Sequence, residues 1–305
     1  MIVVFGSINI DLVTQVERLP GAGETVLGPS YAVHPGGKGA NQALAARRAG
    51  AEVALIGATG RDGFGEEALS LLAADGVDLS HVARVDAPTG AAFIAIDRQG
   101  ANQIIVAAGA NAEARPDALQ RLPLGPQDIL LLQREVPEEA CLEAARLMKQ
   151  AGGRVILNLA PAGPPSPMLL AFVDILIVNE HEALVLAETL GWAEREPDAI
   201  AQRLDGERGI AGVATLGAAG VVSWQGGTRQ RLEAPRVTVV DTVAAGDSFT
   251  GAFAAALAAG DDLARALQQG LAAGSLACTQ AGAQPSIPRA TEIAALADRS
   301  FPQMR

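Results

Sequence analysis

Short, apolar, β-branched segments alternate with longer Ala/Leu-rich segments along most of this chain. Helices are predicted near residues 38–49, 63–75, 137–150 and 180–190. The strand candidates between them are IVVFGS (2–7), VALIGA (53–58), DILLLQ (128–133), RVILNLA (154–160), DILIVN (174–179) and GVATLG (212–217). Because these segments are almost continuously apolar, we expect them to be buried on both faces, as parallel strands are. The alternation therefore predicts an α/β fold with a mostly parallel sheet covered by helices.

Two segments, about 11–36 and 88–108, interrupt this rhythm. The second contains two β-rich runs separated by Gln99-Gly100, a pattern typical of two strands joined by a turn. We interpret both segments as a small β flap beside the main sheet. All 305 residues are then expected to form a single domain, with the flap as its lid.

Composition favours small-molecule chemistry. With 49% hydrophobic residues, the chain can bury a full core. Its net charge of −11 and only 23 Lys and Arg residues disfavour a nucleic acid or an anionic membrane as partner. No apolar run approaches the roughly 20 residues of a membrane span.

The two cysteines indicate neither a disulfide framework nor a zinc site. Cys141 and Cys278 are far apart and form no C-x-x-C pattern, which is consistent with a reducing cytoplasm. The N-terminal MIVVFGS has no basic region before it, so it predicts a first strand rather than a signal peptide.

Polar residues that follow strands are the first candidates for function, because ligands bind beyond the carboxyl ends of strands in open α/β sheets. These candidates are Asn9, Asp11, Glu135, Asn179, Glu182 and Asp247.

The segment DTVAAGDSF (241–249) predicts a small-residue turn followed by a helix with Asp247 in its first turn. A helix N-terminus offers unpaired N–H groups that can hold an anion such as a transferring phosphoryl group. A carboxylate beside that anion could accept a proton from an attacking hydroxyl. The alternative is that Asp247 only caps the helix.

A second glycine-rich turn, HPGGKGAN (34–41), also precedes a helix. It is not a Walker loop, because Lys38 is followed by Gly39 rather than Ser or Thr. The first strand lacks a G-x-G-x-x-G after it, which disfavours a dinucleotide oxidoreductase. Gly37 allows close approach of a ligand, and Asn41 supplies a donor and an acceptor. The alternative is a turn without a ligand.

Six motifs in one order resemble the phosphofructokinase-B, or ribokinase, family of carbohydrate kinases. They are GSINIDL, PGGKGANQA, NEHE, TLGAAG, DTVAAGDSF and GAQPS, and the resemblance extends from about residue 2 to about residue 288. The resemblance implies a ribokinase-like three-layer α/β sandwich with a β-sheet lid over the sugar. It also implies ATP-dependent phosphorylation of the primary 5-hydroxyl of D-ribose. Deoxyribose, a ketohexose or a nucleoside remain alternative acceptors, while GGKGANQA and GAQPS favour ribose.

The resemblance implies that Asp247 is the catalytic base, with backbone N–H groups of Ala244, Ala245 and Gly246 forming the anion hole. Asp11 is the leading specificity residue, since a buried carboxylate can accept from two hydroxyls; otherwise it is a strand-end turn residue. Arg134 stands before Glu135, where we expect an apolar residue. The implied sugar-binding residues are Asn9, Asp11, Gly37, Lys38, Asn41, Glu135 and Asp247.

The resemblance also implies an ATP site. Its residues would be Asn179, Thr215, Gly217, Gly220 and Gly246, although TLGAAG alone could be a plain hairpin turn. Leu271 lies where some members place a polar ring near adenine.

Two cation sites follow from the same resemblance. Asn179 and Glu182 would help to hold Mg²⁺ through water, and His181 between them is predicted to face solvent. A K⁺ site would order the anion-hole loop. Its implied ligands are Asp241, Ser286 and backbone carbonyls near Val243, Ala277, Gln280 and Gly282.

Two other classes of function were weighed. A hydrolase with Ser248 as nucleophile is disfavoured, since Thr250 breaks the G-x-S-x-G pattern and the histidines, His34, His81 and His181, are dispersed. A sugar-binding protein without catalysis is disfavoured because binding alone needs no base. Exposed lid edges need cover, and members of the family commonly pair their lids, so we expect a homodimer through the lid.

Overall fold

The computed structural model describes residues 1–302 and contains two β-sheets with helices around the larger one. The strands are β1 (Ile2–Phe5), β2 (Asn9–Gln15), β3 (Tyr31–Gly36), β4 (Val53–Gly60), β5 (Val82–Val85), β6 (Gly90–Ile96), β7 (Asn102–Ala107), β8 (Ile129–Leu132), β9 (Arg154–Asn158), β10 (Ile175–Asn179), β11 (Ala211–Thr215), β12 (Val221–Gln225) and β13 (Thr228–Leu232). The α-helices are α1 (Lys38–Arg48), α2 (Gly63–Ala74), α3 (Glu138–Gln150), α4 (Pro167–Leu170), α5 (Glu180–Thr189), α6 (Pro197–Arg208), α7 (Ala245–Ala258), α8 (Leu263–Ala277) and α9 (Ala290–Ser300).

The main sheet has nine strands in the order β13-β12-β11-β10-β9-β8-β1-β4-β5. Its strands run parallel from β11 to β5, while β12 and β13 are antiparallel additions at one edge. The predicted mostly parallel sheet is confirmed. All six predicted strands and all four predicted helices are present, with boundaries within about two residues of those expected.

The main sheet is buried on both faces because alternate side chains enter two different apolar layers. In β1, Ile2 and Val4 pack with apolar residues of α1, α2, α7 and α8. Val3 and Phe5 pack on the opposite side with residues of α3, α4, α5 and α6. The three-layer α/β sandwich expected from the sequence is therefore the observed architecture.

The smaller sheet has four strands in the order β3-β2-β6-β7. Strand β2 pairs antiparallel with β3 and parallel with β6, and β7 returns antiparallel to β6 around Gly100, whose φ is +83°. These strands correspond to the predicted flap. Only residues 6–8 separate β1 in the main sheet from β2 in the small one. Asn9 and Asp11 therefore lie where the two sheets meet.

No helix within residues 1–302 is long and apolar enough to cross a membrane.

Candidate active site

The start of α1 approaches the start of β2 so closely that Gly37 is required between them. Gly37 is the N-cap of α1 and has a φ of +90°. A Cβ there would lie 2.7 Å from the Asn9 nitrogen and 2.9 Å from the Ser7 carbonyl oxygen. Glycine avoids both the collision and the strain of a positive φ. The predicted sugar residues on α1 and β2 are thus neighbours.

Glu135 lies just beyond β8 and contacts the N-terminus of α1. Its Oε2 accepts hydrogen bonds from Ser7 Oγ at 2.6 Å and from the Lys38 backbone N–H at 3.1 Å. Arg134 turns away from it: Arg134 Nη2 donates to Glu138 Oε2 at 3.2 Å and to the Pro164 carbonyl at 3.0 Å. The unexpected arginine therefore leaves Glu135 beside α1.

Asp247 is buried in the first turn of α7, and its carboxylate is held by α1. Its Oδ2 accepts from Asn41 Nδ2 at 3.0 Å, and its Oδ1 accepts from Gln42 Nε2 at 2.9 Å. The N-cap of α7 is Ala244, and no side chain caps that helix end. The alternative that Asp247 serves as the helix cap is therefore wrong.

The N-terminus of α7 presents open backbone donors next to Asp247. Ala244 adopts the left-handed conformation, with φ of 59°. Within residues 1–302 the N–H groups of Ala244, Gly246 and Asp247 have no hydrogen-bond partner, whereas the Ala245 N–H donates to the Thr242 carbonyl at 3.3 Å. Two of the three predicted anion-hole donors are thus open, and Asp247 adds a third. Such a helix end can bind an anion.

Acidic side chains surround the half-buried Lys38 at this site. The pKa of Lys38 is raised by the Asp247 carboxylate and by Glu135, Glu182 and Asp11, against the opposing effect of burial. The pKa of Asp11 is raised to about 6 by burial and by the charges of Glu135 and Asp247. Asp11 is the third residue of β2, opposite His34 of β3, so the alternative of a strand-end turn residue is wrong.

A cavity of about 590 Å³ lies at the N-terminus of α7. It is lined by the predicted nucleotide residues Thr215, Gly217, Gly220 and Gly246, and also by Leu271. Strands β11 and β12 are antiparallel, so TLGAAG is a hairpin turn that also forms a cavity wall. Ala245, predicted for the anion hole, also lines the cavity. The lining residues that were not predicted are both apolar and polar: Ala218, Ala234, Pro235, Arg236, Val237, Val239, Thr242, Phe249, Gly274, Ser275 and Cys278.

Asn179 does not line this cavity, although it is the register partner of Thr215. Asn179 and Glu182 form a capping box at α5: Asn179 Oδ1 accepts from the Glu182 N–H, and Glu182 Oε2 accepts from the Asn179 N–H, both at 2.8 Å. Burial raises the pKa of Glu182. His181 between them is exposed, as predicted. In the described part of the chain, no three His, Cys, Asp or Glu side chains cluster to hold a metal.

The residues predicted for a monovalent cation lie in two segments that contact each other. Asp241 Oδ1 accepts from the Val243 N–H at 3.1 Å, and Asp241 Oδ2 accepts from the Gly282 N–H at 3.0 Å. The Gln280 N–H donates to the Ala277 carbonyl at 3.4 Å. The Ser286 hydroxyl donates to the Ala283 carbonyl at 2.8 Å. Asp241 therefore joins the turn before α7 to the segment after α8.

Several buried polar residues of the site were missed by the sequence reasoning. Asn111 donates through Nδ2 to Asn9 Oδ1 at 2.6 Å and accepts from the Ile8 N–H at 2.9 Å. Nothing in its local sequence indicates this role. Gln42 follows Asn41 in a quoted motif, and Gln133 and Asn158 stand at strand ends. The strand-end rule could therefore have found the last two.

Comparison with known proteins extends over almost the entire chain. Residues 1–290 match the family described as pfkB family carbohydrate kinase. The chain is 38% identical over 295 residues to a ribokinase of Lactococcus lactis, an alignment that covers 96% of this chain and 95% of that one.

Two solved structures are similar in fold and in sequence. A ribokinase of Thermotoga maritima superposes with a TM-score of 0.89 at 36% identity, covering 97% of this chain and 98% of that one. A ribokinase of Arabidopsis thaliana, solved in complex with ribose and ATP, superposes with a TM-score of 0.86 at 34% identity and the same coverage of both chains.

Proposed function

The chain belongs to the pfkB family of carbohydrate kinases, and we propose that it is an ATP-dependent ribokinase. It transfers the γ-phosphoryl group of ATP to the primary 5-hydroxyl of D-ribose, giving ribose 5-phosphate and ADP. One observation carries the proposal: Asp247, at the open N-terminus of α7, is held by two amides of α1. That carboxylate contacts polar residues of α1, and the preceding residue, Gly246, lines the 590 Å³ cavity.

The polar pocket has the chemistry to bind a polyol. The side-chain oxygens of Asn9, Asp11 and Glu135 can accept hydrogen bonds from sugar hydroxyl groups. The Oδ1 atom of Asn41 is buried and has no hydrogen-bond partner among residues 1–302, so it is a further acceptor for a sugar hydroxyl. Leaving such an atom unpaired costs about 1–3 kcal/mol, and ribose would remove that cost.

In the proposed reaction, the sugar hydroxyl donates its proton to Asp247 as its oxygen forms a bond to the γ-phosphorus. The bond from that phosphorus to the β-phosphate oxygen breaks, and ADP leaves with the electron pair. The open N–H groups of Gly246 and Ala244 would bind the transferring group, and Lys38 would offset its charge. Phosphoryl transfer asks mainly for positioning and charge stabilisation, which these groups supply.

The capping-box carboxylate is compatible with an Mg²⁺ ion held mainly by water and by the nucleotide phosphates. Glu182 is buried and uses Oε2 for the cap, which leaves Oε1 for a water in the metal shell. Mg²⁺ would neutralise charge on the phosphates when bound. Asn179 would act through the same cap rather than by lining the nucleotide cavity.

A K⁺ ion is proposed beside Asp241. The Asp241 contacts with Val243 and Gly282 already gather the segments whose carbonyls would surround the ion. Because Asp241 lies six residues before Asp247, an ion there would order the turn that leads into α7.

We also propose a homodimer formed through the small sheet. One face of this sheet carries Tyr31 of β3, Phe93 of β6 and Ile105 of β7, and all three are exposed. A contiguous apolar face of this kind is typical of a protein interface, and pairing also covers the open edge of β7. Cytoplasmic location is part of the same proposal, supported by two cysteines that are both free thiols.

Two other functions are less well supported. A hydrolase would need a base at Ser248, yet the buried Ser248 Oγ has no partner among the residues that the structure describes. A sugar-binding protein without catalysis would have no use for the open helix end beside Asp247. The related acceptors deoxyribose, ketohexoses and nucleosides remain the alternatives within the family.

An acceptor panel tests the proposal. ADP release from MgATP is measured in potassium buffer with ribose, 2-deoxyribose, fructose, adenosine or no sugar. The proposal expects the highest kcat/KM with ribose. A preference for another acceptor would retain the kinase and reject ribose, and ADP release that no acceptor stimulates would reject the kinase.

A further inference from the structure

Gln42 is fully buried in α1, and its side-chain amide makes three hydrogen bonds. Nε2 donates to Asp247 Oδ1 and to Asn158 Oδ1, both at 2.9 Å, and Oε1 accepts from Gln133 Nε2 at 2.8 Å. A primary amide has only two N–H donors, so both are used. A 180° rotation of the Gln42 amide would place its oxygen opposite the acceptor oxygens of Asp247 and Asn158, and all three hydrogen bonds would be lost. The orientation of Gln42 is therefore fixed by its partners.

The partners of Gln42 are anchored in the main sheet. Gln133 follows β8, and Asn158 is the last residue of β9. Asn158 Nδ2 also donates to the Ile177 carbonyl in β10 at 3.3 Å. All three amide side chains are buried, so Asp247 Oδ1 is connected to the strand ends rather than to solvent. Gln133 Oε1 has no partner among residues 1–302, but every polar atom of the Gln42 amide is paired. A buried amide with all its hydrogen bonds made is held rigidly.

The same strand end also supplies the sugar pocket. Glu135 stands two residues after Gln133 in the chain. Asn41, which holds the other carboxylate oxygen of Asp247, keeps an acceptor without a partner among residues 1–302, whereas all three polar contacts of Gln42 are with protein. Gln42 can therefore influence the reaction only through Asp247 and the network behind it.

We infer that Gln42 is a positioning residue for proton transfer, because the Gln133–Gln42–Asp247 amide network fixes the base relative to the strand end that holds the sugar. This inference rests on the proposed function of Asp247. It deepens that proposal by assigning to Gln42 a role in kcat and none in substrate affinity. A displacement of a catalytic group by about 1 Å can cost about 100-fold in rate.

The test is a double-mutant cycle of Gln42→Met and Asp247→Ala, measured with the acceptor that the wild type uses best. Methionine has nearly the volume of glutamine but lacks its donors. We expect Gln42→Met to lower kcat by about 10- to 100-fold with KM for the sugar within about threefold of the wild-type value. In the Asp247→Ala background, Gln42→Met should change the residual rate by less than about twofold, because its target is gone.

Two further variants keep the result interpretable. Gln42→Glu preserves the shape of the side chain but places an oxygen opposite the Asp247 carboxylate, so its kcat should fall at least as far as that of Gln42→Met. If Gln42→Met does not fold, Gln42→Glu is the variant that tests the inference. Ser223→Ala, which removes a buried and unpartnered hydroxyl in β12, is the control and should keep the wild-type kcat.

The outcomes separate this inference from the proposed function. Wild-type kcat in a folded Gln42 variant, or equal losses with and without Asp247, would overturn the inference alone. A raised sugar KM at unchanged kcat would do the same. A wild type without sugar-stimulated ADP release would instead overturn the proposed function.

Discussion

Asp241 Oδ2 accepts a hydrogen bond from the backbone N–H of Gly282 at 3.0 Å, although 41 residues separate the two in the chain. The carboxylate thereby ties the turn before α7 to the segment after α8. If this junction binds K⁺, replacing K⁺ by tetramethylammonium should lower kcat of the wild type, since the larger ion cannot enter. We expect Asp241→Asn to lower kcat by about tenfold, in line with loss of one charged interaction, and to abolish the difference between the two ions.

The control for this prediction is Asp261→Asn, which alters an exposed carboxylate in the turn between α7 and α8. It should retain both the rate and the response to K⁺. Equal wild-type rates in the two salts would contradict a K⁺ site at Asp241.

Asp11 predicts an unusual dependence of stability on pH. Burial and the charges of Glu135 and Asp247 raise its pKa to about 6 from 3.8, so between these values the folded protein binds more protons than the unfolded chain. The free energy of unfolding contributed by this group therefore falls as pH rises from about 4 to about 6. Asp11→Asn removes that loss of unfolding free energy, so above pH 6 it should stabilise the sugar-free protein by up to about 3 kcal/mol. The same substitution should weaken ribose binding.

Urea unfolding at several pH values checks this prediction. Asp62→Asn is a comparison variant whose stability at pH 7 should change in the opposite direction. Although burial acts against it, hydrogen bonds from Thr89 and the Gly65 N–H lower the pKa of Asp62. Asp62→Asn should therefore destabilise the protein at pH 7, and less so as the pH falls. An Asp11→Asn protein that is less stable than wild type at pH 7 would refute the account of Asp11.

Gly37 and Gly50 flank α1, and both have a positive φ, of +90° and +105°. Only at Gly37 would a Cβ collide with backbone, because nothing lies within 4 Å of a Cβ at Gly50. Gly50→Ala should cost about 1–2 kcal/mol of stability and keep the wild-type kcat/KM. Gly37→Ala must also push α1 away from β2, and we expect kcat/KM for ribose to fall by about 100-fold. Similar kinetics for the two variants would contradict the close approach seen at Gly37.

The apolar face of the small sheet makes a prediction about assembly. Ile105 in β7 is 70% exposed, and Met168 in α4 is 64% exposed but lies outside that sheet. A lysine at Ile105 would have to be desolvated in the proposed interface, whereas a lysine at Met168 would stay in water. Sedimentation equilibrium should therefore show a dimer for the wild type and for Met168→Lys, and mainly monomer for Ile105→Lys. A wild-type monomer, or a dimeric Ile105→Lys protein, would argue against pairing through this face.

Hydrophobic periodicity indicated six strands of the main sheet and four of its helices, but it did not indicate α6, α8 or α9. Strands such as Ile129–Leu132 are continuously apolar because both faces are buried, and that pattern is visible in sequence. Strand β13, Thr228–Leu232, was not predicted, because an edge strand exposed on one side has a largely polar sequence. Helix α4 has only four residues, too few to show a helical period.

The candidate site was predictable in its positions but not in its contacts. Asp247 and Asn41 each lie in a recognisable motif, so both could be named from the sequence. Their hydrogen bond joins residues 206 positions apart, and it depends on how α1 packs against α7. The alternative that Asp247 caps its own helix was equally compatible with the local sequence. The structure excludes it, because Ala244 is the N-cap and the Asp247 carboxylate is held by Asn41 and Gln42 of α1.

The kinetics of Asp247→Asn, together with its substrate affinities, test the central claim most directly. Asparagine keeps the shape of the side chain but cannot accept a proton from the sugar. Loss of a general base lowers rates by about 10²–10⁴-fold, and we expect kcat to fall within that range while calorimetric Kd values for ribose and ATP stay within about threefold of wild type. An Asp247→Asn enzyme that keeps more than about a tenth of the wild-type kcat would contradict the assignment of Asp247 as the base.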